Sequence, residues 1–369
     1  MDIPRWAVHP HQIFPKLDPA LDEAANPIRS PQVEHNHIHQ HSPAMEYLVS
    51  GRDEIFDYSV ERGLFAQSLP EYLIDHDEFN NRYHEKNFGL MLFNSKDEPD
   101  WHALVKKVSE LNEHAAPDET YKVFYLARHV EHYGQEEWNK RISLLKEYDG
   151  LRLGPDPDLT PVGIDEAAVI NKIWKDQIHK YGLSHAGALP QKFYASPFTR
   201  ALRTLEVTWK DLVLHLPDAP RVTVRENLRE TIGRHWCDMR GSMPEVKQEF
   251  KFIDVEDGMS DEDNIWTDRR EDESPGGSMD RRLRDTIDDI FLRDGETFIS
   301  ITAHSGCLRS ILRITGHRIF HLTTSVMIPI IVKAKLRPDY KDKIKFPQPV
   351  SGLPYNFEHP PTDDGKPKD

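Results

Sequence analysis

From Lys122 onward, apolar residues recur in two alternating patterns along the chain, and their order predicts the elements. "KVFYLA" (122–127) is a short continuous apolar run of the kind a buried strand uses. "TPVGIDEAAVINKIWKDQIHKYG" (160–182) spaces its apolar positions at helical intervals, opening on Thr-Pro and closing on Gly, the start and stop signals of a helix. "KFYAS" (192–196) reads as a second strand, with the helix "PFTRALRTLEVTWKDL" (197–212) after it. "RVTVREN" (221–227) is a third strand and "RRLRDTIDDIFLRDG" (281–295) an amphipathic helix ending at Gly295. "TFISITA" (297–303), "GCLRSILRITGH" (306–317) and "SVMIPIIVKAK" (325–335) add strand, helix and strand. Regular alternation of this kind predicts a three-layer α/β domain with a largely parallel central sheet, helices on both faces, and ligands at the carboxyl ends of the strands.

Three regions fall outside the pattern. Residues 1–84 are expected to form an extended, domain-wrapping arm, rich in Pro, His and Asn at its start, and the domain itself is expected over 85–335. Within the arm, "EHNHIHQH" puts His35, His37, His39 and His41 at alternate positions, which on a strand would align four imidazoles able to bind a divalent metal; no carboxylate or Cys completes a defined set, so an exposed polar segment is the preferred reading and no metal or cofactor is expected. Residues 237–279 contain "IDVEDGMSDEDNIWTDRREDESPGG", too acidic and too poor in apolar residues to be core, and read as an inserted loop or cap at the pocket's mouth. Residues 336–369 form a Pro-rich tail to which the pattern assigns no fold.

Composition narrows the function classes. With 62 acidic and 47 basic residues the formal net charge is −15, which argues against nucleic acid or an anionic membrane as partner, so an anionic ligand needs a local basic site. The start "MDIPRWAVHPHQIFPKLDP" lacks the pattern of a signal peptide, making a cytosolic address the expectation. The two cysteines, Cys237 and Cys307, are too few for a disulfide framework and are expected to be reduced.

The basic and imidazole side chains at the strand ends are the candidate chemistry. Arg128 and His129 follow the first strand, Arg200 lies at the fourth position of the helix after the second, and His304 follows "TFISITA". All four reach one edge of a parallel sheet, where two guanidiniums and two imidazoles suit a phosphate dianion. A neutral imidazole there is able to carry a phosphoryl group, and a carboxylic acid must protonate the leaving oxygen. Glu230, just after the third strand, is the best placed carboxylate, with Glu226 one helical turn before it as the other choice. Arg200 pairing in the open with Glu206 or Asp211 is disfavoured because neither has the i+4 spacing. His132 and His235 are further possible ligands, while Ser305 has no Ser-His-Asp arrangement.

"ARHVEH", "LTPVGIDEA", "YASPFTRALRT", "LRETIGRHWCDMR" and "ITAHSGCLRSIL" occur in an order and at spacings that resemble the histidine phosphatase, or phosphoglycerate mutase-like, superfamily over residues 85 to 335. "SDEDNIWTDRRED" is similar to the long linker of its fungal phosphomutase-like phosphatase branch. The resemblance implies His129 as the phosphorylated nucleophile, Arg128, Arg200 and His304 as phosphate ligands, and Glu230 as proton donor. The chain departs from that family at Val130, where Gly usually follows the nucleophile, and at Gln135, in place of Asn; Asn139 would substitute only with the loop rearranged. The expected activity is metal-independent hydrolysis of a small phosphorylated metabolite. A mutase would need a second phosphate pocket, for which the chain offers Arg141, Arg203 and Arg234, and highly charged substrates would need a compensating Arg269 or Arg270 in the acidic insertion. A phosphate-binding protein disabled at Val130, or an enzyme recruited to other chemistry, is the competing reading. Oligomeric state is left open by the sequence.

Overall fold

A computed structural model of the chain describes residues 54–69, 87–133, 155–233, 235–267, 269–319, 322–355 and 357. Among them are strands β1 (Phe56–Val60), β2 (Glu119–Arg128), β3 (Lys192–Ala195), β4 (Val222–Val224), β5 (Ile253–Val255), β6 (Phe298–Ala303) and β7 (Met327–Leu336). They form one sheet in the order β1-β7-β2-β6-β3-β4-β5. The five strands from β2 to β5 are mutually parallel, while β7 runs antiparallel to β2 and β1. The helices are α1 (Trp101–Glu113), α2 (Pro161–Tyr181), α3 (Leu183–Ala186), α4 (Thr199–Trp209), α5 (Met243–Glu249), α6 (Ser278–Arg293) and α7 (Ser305–Ile314).

Strand β2 shows why the domain has three layers. Its alternate residues Val123, Tyr125 and Ala127 join one core with Trp101, Trp174 and Trp209 of α1, α2 and α4. Phe124 and Leu126 join the other with Leu283 and Ile287 of α6 and Leu308 and Ile311 of α7. A strand with apolar side chains on both faces must be covered twice, so helices lie on both sides. After β2 the chain moves outward to β3, β4 and β5, then returns to insert β6 between β2 and β3. That reversal opens a crevice at the carboxyl ends of β2, β6 and β3.

The acidic insertion is not wholly a loop or cap, contrary to the expectation from its composition. Met243, Val246, Phe250 and Ile253 are buried, and residues 243–255 supply α5 and the edge strand β5. Its few apolar residues suffice because a three-residue edge strand has little to bury. Beyond β5 the loop is tied down by charge: Asp263 is bonded to Arg229 at 2.6 Å, and Arg240 donates to the carbonyls of Ser260, Asp261 and Glu262. Arg270 pairs with Glu273 within the same loop.

In the expected arm, Phe56–Val60 pairs with β7 at the sheet's edge. The tail packs on the domain through Phe346, stacked on Phe56, and through Tyr355, whose hydroxyl donates to the Pro190 carbonyl at 2.8 Å. The four alternate histidines of "EHNHIHQH" lie outside the described residues. No helix among those described is long and apolar enough to cross a membrane.

Candidate active site

His129 is the first residue beyond β2, and its backbone N–H still reaches Ala303 of β6 at 3.0 Å, so the sheet itself sets the height of its ring. The side chain is buried, and Nδ1 lies 2.8 Å from the Val130 carbonyl oxygen. A carbonyl only accepts, so the proton sits on Nδ1 and Nε2 keeps its lone pair. Val130 sends its side chain into the core with the residues of the α2 and α4 face. The branch that replaces the usual Gly hydrogen therefore points away from the imidazole, and only the residue's backbone serves the site.

His304 follows β6 and is the N-cap residue of α7. Its ring is fully buried, 4.9 Å from that of His129, with Nε2 2.7 Å from Ser196 Oγ and Nδ1 buried without a hydrogen-bond partner. His132 completes a group of three: its ring meets that of His129 edge-on at 5.1 Å. Burial pushes all three imidazoles well below their usual range, and Arg200 adds to the effect in each. They are neutral at neutral pH, the state a nucleophilic imidazole requires. No trio of described His, Cys, Asp or Glu side chains is arranged to hold a metal ion.

Helix α4 starts at Thr199, two residues later than the pattern predicts, which puts Arg200 in its first turn. Asp156 caps that turn, accepting from Thr199 N at 2.8 Å and Thr199 Oγ1 at 2.9 Å. Arg200 is 1% exposed and paired with neither Glu206 nor Asp211: its guanidinium donates to Asp238 Oδ1 at 2.8 Å and the Cys237 carbonyl at 2.9 Å, and lies 4.3 Å from the Phe198 ring. Glu206 takes Arg203 instead, and Asp211 takes Lys175. Arg128 is half-buried and donates to the Leu322 carbonyl at 2.6 Å; burial lowers its pKa to about 10, opposed chiefly by Glu230, and leaves it charged at neutral pH.

The two candidate acids separate cleanly. Glu226 is bonded to Arg229 at 2.9 Å and Arg240 at 3.0 Å, inside the network that anchors the acidic loop. Glu230 instead lies at the start of α7, accepting from Gly306 N at 3.3 Å and Ser305 Oγ at 3.4 Å. A Cβ on Gly306 would fall 2.3 Å from Glu230 Oε1, so the absence of a side chain there is what lets the carboxylate come this close. Arg282 fixes the turn that carries it, donating to the carbonyls of Asn227, Arg229 and Glu230.

The structure thus gathers Arg128, His129, Arg200, Glu230 and His304 at one sheet edge. It adds His132, which the sequence ranked as a lesser candidate, and the partners Ser196, Thr204, Glu166 and Asp238, which it did not single out. All four lie inside the motifs quoted above, which marks their segments, but what each one touches is set by contacts across the fold that the motifs do not show. His235 contributes its carbonyl to Trp266 Nε1 at 3.4 Å. Burial pushes the thiols of Cys237 and Cys307 upward, the first to about 12, and so disfavours thiolate chemistry. Gln135, Asn139, Arg141 and Arg234 lie outside the described residues.

Residues 124–323 match the family model described as the histidine phosphatase superfamily (branch 1). A protein of Arthroderma benhamiae named "Probable phosphoglycerate mutase" is 34% identical over 301 residues, covering 76% of this chain and 86% of the relative. One of Saccharomyces cerevisiae, also named as a probable phosphoglycerate mutase, is 31% identical over 259 residues, covering 60% of this chain and 82% of the relative. Among solved structures, a phosphoglycerate mutase from Bacillus anthracis aligns with a TM-score of 0.35 at 15% identity, over 64% of this chain and 96% of that one.

Proposed function

The chain belongs to the histidine phosphatase superfamily, in the company of fungal phosphomutase-like proteins, and from that premise we propose that it hydrolyses a small phosphorylated metabolite through a phosphohistidine at His129. The observation that carries this reading is the neutral His129 ring, its Nδ1 hydrogen held by the Val130 carbonyl, set between Arg128, Arg200 and His304. Nε2 attacks phosphorus and the ester oxygen departs with its electron pair, taking a proton from Glu230. Water then attacks the phosphohistidine, Glu230 takes a proton from it, and the P–N bond breaks to release inorganic phosphate and restore the neutral ring. Arg128, Arg200 and His304 bind the non-bridging oxygens, whose charge grows in the transition state. This arrangement asks no metal ion to do that work.

A mutase reading is favoured by the names of the fungal relatives. It requires a second anion pocket, and Arg203, one of the three arginines available for it, is already engaged by Glu206, Asp158 and Glu249. The two readings part in one experiment. In chelator, with a panel of phosphate esters including 3-phosphoglycerate, we expect release of inorganic phosphate, a phosphorus NMR signal of phosphohistidine, and loss of both by at least about 10³-fold in His129→Ala. Conversion to 2-phosphoglycerate without phosphate release would establish the mutase. No turnover and no phosphohistidine with a well-folded protein would overturn both.

A further inference from the structure

Resting on the phosphohistidine reading, we propose that Glu166 is a positioning residue of the nucleophile, acting on His129 through the peptide group between Val130 and Glu131. That peptide is engaged at both ends. Its oxygen accepts from His129 Nδ1 at 2.8 Å, and its N–H donates to Glu166 Oε2 at 2.8 Å. A carboxylate on the N–H side polarises the amide and drives electron density onto its oxygen, which strengthens the bond to Nδ1–H. The series of carboxylate, peptide and imidazole does at one remove what a carboxylate bonded directly to a catalytic imidazole does. It keeps the proton on Nδ1, fixes the ring and leaves Nε2 as the attacking atom.

Such a group matters because burial and the nearest cations oppose the charge that attack creates. As Nε2 bonds to phosphorus the ring becomes cationic, while burial, Arg200, His132 and Arg128 all disfavour a cation there. The groups facing the pair are Arg128, Glu131 and His132 from the end of β2, Arg200 from α4, His304 from β6, Glu230 across Arg128, and the Thr324 hydroxyl 3.5 Å from Glu166 Oε1. Glu166 is the one carboxylate among them that is bonded to a peptide holding the ring.

The fold is built to bring it there. Helix α2 approaches the loop so closely that a Cβ on Gly163 would fall 2.0 Å from the Glu131 carbonyl oxygen. Thr160 Oγ1 donates to Glu131 Oε1 at 2.9 Å, and Thr160 N reaches the Glu131 carbonyl at 3.3 Å. On the other side, the Val130 N–H donates to Thr204 Oγ1 at 3.2 Å, whose own hydrogen goes to the Arg200 carbonyl at 2.7 Å. Both peptides flanking Val130 are therefore fixed, one by α2 and one by the helix that carries Arg200.

Two variants separate charge from geometry. E166Q keeps an acceptor and removes the charge; E166L removes both. For phosphohistidine formation we expect kcat to fall about tenfold in E166Q and about a hundredfold in E166L, with KM within about twofold because the phosphate ligands stay in place. In the ligand-free protein, nitrogen-15 NMR of His129 should report the Nδ1-protonated tautomer in the wild type and E166Q, and mixed tautomers in E166L. Wild-type kcat in E166Q, a loss carried by KM, or an unchanged tautomer in E166L would overturn the proposal; if E166L fails to fold, the kcat and KM of E166Q decide alone. A tautomer shift in E166L beside a wild type that forms no phosphohistidine would sink the proposed reaction and leave the positioning role standing.

Discussion

Gly306 and Glu230 illustrate how a single missing atom sets up an acid. The carboxylate rests 2.3 Å from where a Cβ would be, within reach of the first backbone donors of α7, and it is the candidate acid placed beside Arg128. Gly306→Ala should push Glu230 out of this position while leaving Arg128, Arg200 and His304 in place. We expect kcat to fall by about 10²-fold, the scale of losing a general acid, with inhibition by inorganic phosphate little changed; steady-state kinetics with phosphate as inhibitor checks it. Motif order made the convergence of Arg128, His129, Arg200, Glu230 and His304 legible, because each lies at or soon after the end of a readable strand. What the sequence left open was the choice between Glu226 and Glu230. One helical turn apart in the chain, they are separated by Arg229, three residues from Glu226, and by Arg240, which reaches Glu226 from a segment the sequence gives no reason to place beside it. Val130 was opaque for the same reason: its effect depends on which way the side chain leaves the backbone, and only the core behind the strand decides that.

At the scale of elements, α2 was readable at both ends because both carry chemistry. Thr160 accepts from Gly163 N at 3.0 Å, and Gly182 closes the helix in the left-handed region at φ 65°. Helix α1 had signals too, with Asp100 accepting from Ala103 N at 2.8 Å and Trp101, Leu104 and Val108 buried on one face. It lies before the point at which the alternation becomes regular. Strands β1 and β5 were not legible: β1 is an edge strand with alternate residues in solvent, and β5 is three residues inside an acidic stretch. The Thr160 cap also bonds Glu131, so it joins the end of α2 to the nucleophile's loop. Thr160→Ala should cost about 1 kcal/mol of stability in denaturant titration, with Thr160→Ser restoring most of it; a variant as stable as the wild type would mean the cap is dispensable.

Across the whole molecule, a chain of net charge −15 gathers guanidiniums and uncharged imidazoles at one site, and we expect any anion bound there to be bound with uptake of protons. Stability against acid does not by itself reveal the link, because opposite terms meet. His317, lowered by burial to about 4, withholds its proton in the folded state, so stability is lost as pH falls from the unfolded value near 6.5 through 4. Asp288, raised by burial to about 7, holds a proton that the unfolded chain releases above about 4, so its contribution is present at low pH and lost as pH rises through 7. Neither residue belongs to the group of His129, His132 and His304, so their contributions cancel when melting is compared with and without an anion at the same pH. Sulfate suits the comparison, since it stays doubly charged throughout. A dianion beside His304 and His132 reverses the field of Arg128 and Arg200 and raises the imidazoles toward their ordinary value, so binding takes up protons and tightens as pH falls. The rise in melting temperature at low millimolar sulfate, measured against chloride of equal ionic strength, should therefore be larger at pH 6 than at pH 8, and calorimetry in two buffers should register proton uptake. An equal rise at both pH values would mean that the guanidiniums alone hold the anion and that the imidazoles stay neutral beside it.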